Sequence, residues 1–181
     1  MKGLTLTQPW ATLIALLEKL LETRSWATTY RGPLAIHAAQ SLAPVGGVAG
    51  LQHIVWQEPF RSVLQRRWLD IAVLPQVSSQ QHIISDPSYV LPRGAIVAVC
   101  TLADCRPTTG SRPGSGGPKY ADWVHDLTDQ ERAFGNYAPE RFGWFLADIR
   151  PLPRPIPCRG AQGLWSVPAD VQAQIAEVIR E

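Results

Sequence analysis

The sequence predicts a single α+β domain built around one sheet. Its 181 residues fit one ordinary domain of roughly 100–200 residues. Hydrophobic residues make up 45% of the chain, and seven Trp provide apolar material for a core. Amphipathic helical segments occur between short apolar runs rich in β-branched residues, without an internal repeat. We therefore treat residues 1–181 as one domain, with a flexible Gly- and Pro-rich insertion at about 106–119.

The N-terminal part of the chain predicts a strand, a helix and two further strands. Leu4 to Thr7 is β-like, and Pro9 suits the first turn of a helix. Apolar residues then recur at the spacing of one buried helix face, in a helix that we expect to end near Lys19. The next elements are a strand, a turn and a second strand, at 22–28, 30–33 and 34–39.

The remainder predicts a central strand flanked by helices and edge elements. Residues 44–50 are small and indicate a loop, Pro59 begins a helix that includes Trp68 and Ile71, and 74–93 is an irregular connection. The apolar run Ala95 to Ala103 predicts the central strand. The later elements are a helical turn at 129–134 and a strand with a proline-rich extended edge at 142–157. A short strand at 163–167 and a C-terminal helix from Pro168 follow.

The charge distribution is more informative than the net charge of +2. Residues 1–67 contain seven basic and three acidic residues, 150–159 contain three Arg and no acid, and 122–131 contain four acids and no base. Fourteen of the seventeen basic residues are Arg, whose planar guanidinium suits phosphate recognition and stacking on bases. The chain is therefore expected to have a basic face although it is nearly neutral overall.

Several functional classes are not supported by the sequence. The chain has no GxSxG or HExxH pattern, and Gly117 precedes Pro118 rather than a Lys-Ser/Thr step, which excludes a phosphate loop. Cys100, Cys105 and Cys158 lack the spacing of a zinc site and are interpreted as reduced thiols of a cytoplasmic protein. No apolar run has the length of a membrane span, and we expect no metal and no cofactor.

The segment Thr5 to Ala39 is the richest in polar, cationic and aromatic side chains. Strand alternation puts Glu22, Arg24 and Trp26 on one face, close to Lys19 at the predicted helix end. Cationic groups there suit phosphate, and an indole suits a stacked base. The alternative is structural: Glu22 and Arg24 pair with each other or with Lys19, and Trp26 belongs to the core.

The same segment resembles the ASCH family, a branch of the PUA-like superfamily. The resemblance rests on TLTQPWATLI followed by Lys19-x-x-Glu22-x-Arg24, the core of the family's GxKxxExR motif, and extends through Trp26, YRGPLAIHAA, FGWFLADIRPLP and GLWSVP. It implies a small, partly open mixed β-barrel with peripheral helices. It also implies a cleft beside the motif that binds RNA or nucleotides.

Two positions depart from the family pattern. The first Gly of the motif is Leu17 here, which favours a helix that continues toward Lys19. Small family members that hydrolyse 4-N-acetylcytidine have a threonine where this chain has Glu22, and alternation points the adjacent Thr23 to the opposite face. A lysine-activated hydroxyl nucleophile is therefore not evident in this chain.

The favoured hypothesis is a binding domain for RNA or a modified nucleoside or nucleotide. The predicted phosphate contacts are Lys19, Arg24 and Arg31, and the predicted base contact is Trp10 or Trp26. Gln8 is a further predicted nucleic-acid contact. Arg150 and Arg154 are expected to extend the backbone track. Glu22 is expected to orient Arg24 or to accept a hydrogen bond from a base amine. His37 is interpreted as a satisfied core residue, and Trp144 and Trp165 as core.

The alternative is a hydrolase acting on nucleosides or RNA. Such an enzyme would be an amidohydrolase of the 4-N-acetylcytidine type or a ribonuclease. Lys19 would serve as base and Glu22 as acid or base partner. A protein-interaction domain that uses the proline-rich strand is a third possibility, without positive support in the sequence.

Overall fold

Six strands form one curled, mixed sheet, a half-barrel. The computed structural model describes residues 1–66, 91–110 and 120–180. In chain order the strands are β1 Lys2–Leu6, β2 Leu21–Arg24, β3 Gly32–Ala38, β4 Ala95–Pro107, β5 Phe142–Pro157 and β6 Leu164–Ser166. They are arranged in the order β2-β5-β4-β3-β1-β6, with β1 and β3 parallel and the other neighbours antiparallel. The predicted α+β architecture with a partly open mixed barrel is confirmed.

Helices cover both faces of the sheet. They are α1 Trp10–Ala15, α2 Gly47–Val55, α3 Phe60–Arg66, α4 Asp122–His125, α5 Asp129–Phe134 and α6 Ala169–Val178, with a 3₁₀ turn at Ala43–Val45. Strand alternation explains the two layers, because Leu34 and Ile36 pack under α1 whereas Ala35 between them packs under α6. The buried residues of α6 are those predicted: Val171, Ile175 and Val178.

The curl of the sheet is produced by its two longest strands. β4 and β5 pair along their lengths, with register shifts between Ile96 and Ala98, Val99 and Thr101, and Leu102 and Asp104. Bulges of this kind bend strands and increase their twist, which curls an open sheet toward a barrel. The predicted central strand is confirmed, and it continues to Pro107, so the first two residues of the predicted loop are strand.

The prolines of β5 are compatible with its position in the sheet. Pro153 and Pro155 lie in the bulge between the pairs Ile96–Ile156 and Ala98–Pro151, where the regular ladder is interrupted. β2 pairs with β5 only from Phe142 to Phe145, so the proline-rich part of β5 has β4 as its one neighbouring strand. The predicted proline-rich extended edge is therefore present, as a continuation of β5.

Three predicted boundaries are wrong. Helix α1 ends at Ala15 rather than near Lys19, because Leu17 adopts a left-handed conformation with φ 61°. The N–H groups of Leu17 and Glu18 then donate to the carbonyls of Ile14 and Leu13, at 2.9 and 3.0 Å, which is the Schellman pattern usually made with glycine. Strand β2 ends at Arg24, so Trp26 lies beyond it, and 44–50 is not a loop, since α2 begins at Gly47.

Some sequence predictions lie outside the described residues. These are the helix continuation through Trp68 and Ile71, most of the irregular connection, and the insertion from 111 to 119. Among the described residues, none of the helices has the length and hydrophobicity needed to cross a membrane.

Candidate functional site

Lys19 is part of a buried ion pair rather than a cleft wall. Its side chain is 1% exposed, and Nζ lies 2.9 Å from Oε1 of Glu131 in α5. The same Glu131 carboxylate accepts hydrogen bonds from the Tyr137 hydroxyl at 2.7 Å and from the Leu20 N–H at 2.8 Å. Burial and the neighbouring carboxylate raise the pKa of Tyr137 well above its usual value. The early end of α1 turns Lys19 inward and makes this arrangement possible.

Glu22 and Arg24 form the charge pair that the structural alternative predicts. Arg24 Nε lies 3.1 Å from Glu22 Oε1 without the alignment of a hydrogen bond, and Nη2 donates to the Thr5 carbonyl at 2.9 Å. Burial raises the pKa of Glu22, while the charges of Arg24 and Lys19 oppose that shift. Glu22 is therefore a partly compensated, buried carboxyl group.

The motif residues Glu22 and Arg24 line two different cavities. The smaller, of about 310 Å³, is lined by Glu22 and Thr23 of β2, by Trp10, and by residues 133–136 at the end of α5 and just beyond it. The larger, of about 900 Å³, is lined by Arg24 and Trp26. Trp26 packs edge-to-face on the buried Trp144, with ring centroids 4.7 Å apart. The motif thus contributes to two sites rather than one.

The larger cavity has a cationic and polar lining. Besides Arg24, it is lined by Arg159 and by the hydroxyl-bearing residues Thr5, Thr7 and Ser41, and none of its described lining residues is acidic. One wall is the connection between β5 and β6. Within the described chain, no backbone N–H from Arg159 to Gly163 donates a hydrogen bond to another residue.

His37 also lines the larger cavity, a role that was not predicted from the sequence. Its ring is 2% exposed, and Nε2 lies 2.9 Å from the Cys158 carbonyl oxygen. Trp165 packs on the ring edge-to-face, with centroids 5.7 Å apart, and burial lowers the pKa of His37. The interpretation of His37 as a satisfied core residue is wrong in one respect, because Nδ1 is buried and has no hydrogen-bond partner among the described residues.

The strand pattern contained a signal for His37. Strand alternation puts His37 on the opposite face of β3 from Leu34 and Ile36, which face the core under α1. The signal for Arg159 was weaker: it is a basic residue next to glycines in a connection between strands. Neither signal shows that residues 37 and 159 share a cavity, because that depends on the pairing of β1 with both β3 and β6.

The other predicted contact residues are dispersed. Gln8 is fully buried; its amide donates to the Pro92 carbonyl at 2.6 Å and accepts from the Thr12 N–H at 3.2 Å. The Trp10 indole N–H donates to the Phe134 carbonyl at 2.8 Å. Arg31 pairs with Asp104 at 3.0 Å on the surface. Arg150 and Arg154 are exposed on β5 and do not line either cavity.

The cysteines and carboxylates do not assemble into a recognisable metal site. Within the described residues, no three His, Cys, Asp or Glu side chains are grouped to hold an ion. Burial raises the pKa of the Cys100 thiol to about 12, and burial and Asp170 raise that of Cys158. Both thiols are thus protonated at neutral pH and are poor nucleophiles.

Comparison with known proteins identifies the family. The profile of the ASCH domain matches residues 4–151. No curated protein matches the chain by sequence. The crystal structure of ASCH from Zymomonas mobilis is similar with a TM-score of 0.49 and 11% identity, over 98% of this chain and 94% of that chain. The crystal structure of a mutant of that protein is similar with a TM-score of 0.46 and 13% identity, over 98% of this chain and 96% of that chain. Because the domain profile covers well over half of the chain, this protein belongs to the ASCH domain family.

Proposed function

We propose that this protein binds single-stranded RNA or a modified nucleotide in the larger cavity. The observation that carries the proposal is the lining of that cavity: Arg24, Arg159 and Trp26 without an acidic residue among its described walls. Two guanidinium groups provide the charge and the planar donors that phosphate oxygens require. The volume of about 900 Å³ is sufficient for a nucleotide.

Arg24 is the principal phosphate contact in this proposal. Its Nη2 is held by the Thr5 carbonyl and its Nε lies beside Glu22, so the guanidinium group is oriented before a ligand arrives. Its remaining N–H donors are available to a ligand. Arg159 is exposed, and the N–H groups of its segment supply further donors for an anion.

Trp26 is the proposed stacking surface. It is half-buried and packs edge-to-face with Trp144, so little side-chain entropy is lost when a base stacks on it. Lys19 and Gln8 have their polar atoms engaged within the protein and are not contacts in this proposal. Arg31, Arg150 and Arg154 are reached only by a longer strand that leaves the cavity.

The proposal is tested by measuring binding of fluorescent single-stranded RNA at several salt concentrations. Arg159→Gln should weaken binding and lower the slope of log affinity against log salt by about 0.7, the value for one phosphate contact to a single strand. Trp26→Ala should weaken binding by about tenfold through lost stacking. Arg180→Gln, a matched exposed arginine at the end of α6, should change neither quantity.

Two results would contradict the proposal. One is the absence of binding to RNA and to a panel of modified nucleotides at low salt. The other is an Arg159→Gln variant whose affinity and salt slope equal those of Arg180→Gln. Thermal unfolding of each variant controls for loss of the folded state, and a ligand that binds the native protein should raise its unfolding temperature.

A second candidate function is hydrolysis of a nucleoside or RNA, which one observation favours. The carboxyl group of Glu22 has a raised pKa and lines the smaller cavity beside Trp10. A carboxyl group with a raised pKa is a candidate general acid or base. Release of acetate from 4-N-acetylcytidine, or cleavage of RNA, that is lost in Glu22→Gln would support it. The absence of both reactions in the wild-type protein would remove this candidate.

A further inference from the structure

The hydrogen bond of His37 determines which ring nitrogen carries the proton. Nε2 lies 2.9 Å from the Cys158 carbonyl oxygen, which can only accept a hydrogen bond. Nε2 must therefore be the protonated nitrogen of the neutral ring. Burial lowers the pKa of His37, which favours the neutral form at pH 7. Nδ1 then carries a lone pair and is an acceptor that cannot donate.

This acceptor is unsatisfied inside the protein. Nδ1 is buried and has no hydrogen-bond partner among the described residues. The ring cannot rotate to find one without losing the Cys158 bond and its packing on Trp165. A buried acceptor without a donor is unfavourable, so a donor supplied from outside gains more than an ordinary surface hydrogen bond.

The unsatisfied edge of the ring faces the wall of the larger cavity at Gly160. A Cβ added to Gly160 would lie 2.4 Å from both Nδ1 and Cε1 of His37 and 2.7 Å from Oγ1 of Thr5. Glycine is thus the residue that permits this close approach. The Gly160 backbone must move aside for a ligand atom to reach Nδ1, and no backbone N–H bond from Arg159 to Gly163 opposes that movement within the described chain.

We infer that His37 is a specificity-determining residue, whose Nδ1 accepts a hydrogen bond from an N–H or O–H group of the nucleotide bound in the larger cavity. This inference rests on the proposed function. Two groups of a ribonucleotide supply such a donor, the exocyclic amine of a base and the 2′-hydroxyl of ribose. A ligand without that donor leaves Nδ1 unpaired, and one with an acceptor in its place repels the lone pair.

The structure provides a pair of variants that separate recognition from structural support. In His37→Gln the longer amide reaches the position of Nε2 and can keep the Cys158 hydrogen bond, but no acceptor remains at Nδ1. In His37→Asn the shorter amide places its oxygen near the position of Nδ1 and loses the Cys158 bond. Gln should therefore retain stability and lose recognition, whereas Asn should lose stability and retain recognition.

The probes are three single-stranded hexamers that differ by one donor each. The reference is oligoriboadenylate, compared with oligodeoxyadenylate, which lacks the 2′-hydroxyl, and with a hexamer of purine riboside, which lacks the base amine. We expect the wild-type protein to bind one of the two analogues about tenfold more weakly than the reference, the effect of one lost buried hydrogen bond. His37→Gln should bind the reference and that analogue equally, and His37→Asn should still discriminate.

Each outcome decides a separate question. If the wild-type protein binds neither the hexamers nor any RNA or modified nucleotide of the panel, the proposed function fails. If it binds only a member of that panel, the analogues of that ligand without its base amine or its 2′-hydroxyl replace the hexamers. If it binds all three equally, or if His37→Gln discriminates as the wild type does, the inference about His37 is overturned while binding stands. A ¹⁵N NMR spectrum of the wild-type protein requires no variant to fold. The Nδ1 resonance of His37 should shift upfield on addition of the reference hexamer, and an unchanged resonance at saturation would also overturn the inference.

Discussion

The buried ion pair between Lys19 and Glu131 makes a quantitative prediction. Lys19→Met removes the charge and nearly preserves the volume, so the main consequence is a buried carboxylate without its counter-ion. Breaking a buried pair in this way costs about 3–5 kcal/mol. Glu131 keeps its hydrogen bonds from Tyr137 and Leu20, which favours the lower end of that range, about 3 kcal/mol. For a domain of this size the unfolding temperature should fall by roughly 6–12 °C.

The assay is urea unfolding of the two single variants and the double variant. Glu131→Gln alone leaves the ammonium group of Lys19, 1% exposed, without its ion-pair partner and should cost as much or more. The double variant carries no charge at either position, so its loss of stability should be smaller than the sum of the single losses by at least about 2 kcal/mol. A constant m-value across the series would show that the unfolded state is unchanged.

The neighbouring pair of Arg66 and Glu18 is a matched control. Its atoms are 3.1 Å apart, but the Arg66 side chain is 59% exposed. Arg66→Met should therefore cost less than about 1 kcal/mol. If Lys19→Met costs no more than Arg66→Met, the Lys19 pair is not desolvated and the reasoning is refuted. Folded Lys19→Met should also bind RNA with nearly wild-type affinity, because its ammonium group does not line either cavity.

Three further predictions concern particular residues. Leu17→Gly should raise the free energy of unfolding by about 0.5–1 kcal/mol relative to Leu17→Ala, because glycine adopts a positive φ without strain; an equal effect would contradict this. Gly3→Ala should cost about 1–3 kcal/mol in the same assay, since its Cβ would lie 2.6 Å from Cζ2 of Trp165, and a neutral effect would show that the indole can move. The lowered pKa of His37 means that the unfolded state binds more protons just below pH 6.5. The wild type should therefore lose stability there relative to His37→Gln, and parallel stability curves would contradict this.

Periodic and strongly apolar segments were predictable because their local pattern agrees with their tertiary environment. The run at Ala95–Val99 is buried on both faces, in agreement with the central strand predicted from its continuous β-branched and apolar residues. In α6 the buried positions follow helical spacing after a proline at the N-terminus. In such segments each residue's preference and its final contacts favour the same structure.

The end of α1 was not predictable, because the tertiary structure overrides a local preference there. A leucine at positive φ is unfavourable, so the sequence favoured a helix through Leu17. The Schellman bonds at Leu13 and Ile14 and the start of β2 at Leu21 oppose that preference. The positive φ of Leu17 is tolerated because it reverses the chain after α1, so that β2 can begin at Leu21 and pair with Phe145 of β5.

The candidate site shows the same division. The residue types of the motif, the resemblance to the ASCH family and the α+β class could be recognised from the order of amino acids, because each depends on local spacing. The partners of those residues could not, because they come from distant parts of the chain. Lys19 meets a carboxylate 112 residues away, and His37 meets a carbonyl 121 residues away. The side chain of Lys19, predicted to bind phosphate, is therefore buried in an ion pair, and His37, interpreted as core, lines a cavity with its Nδ1 unpaired among the described residues.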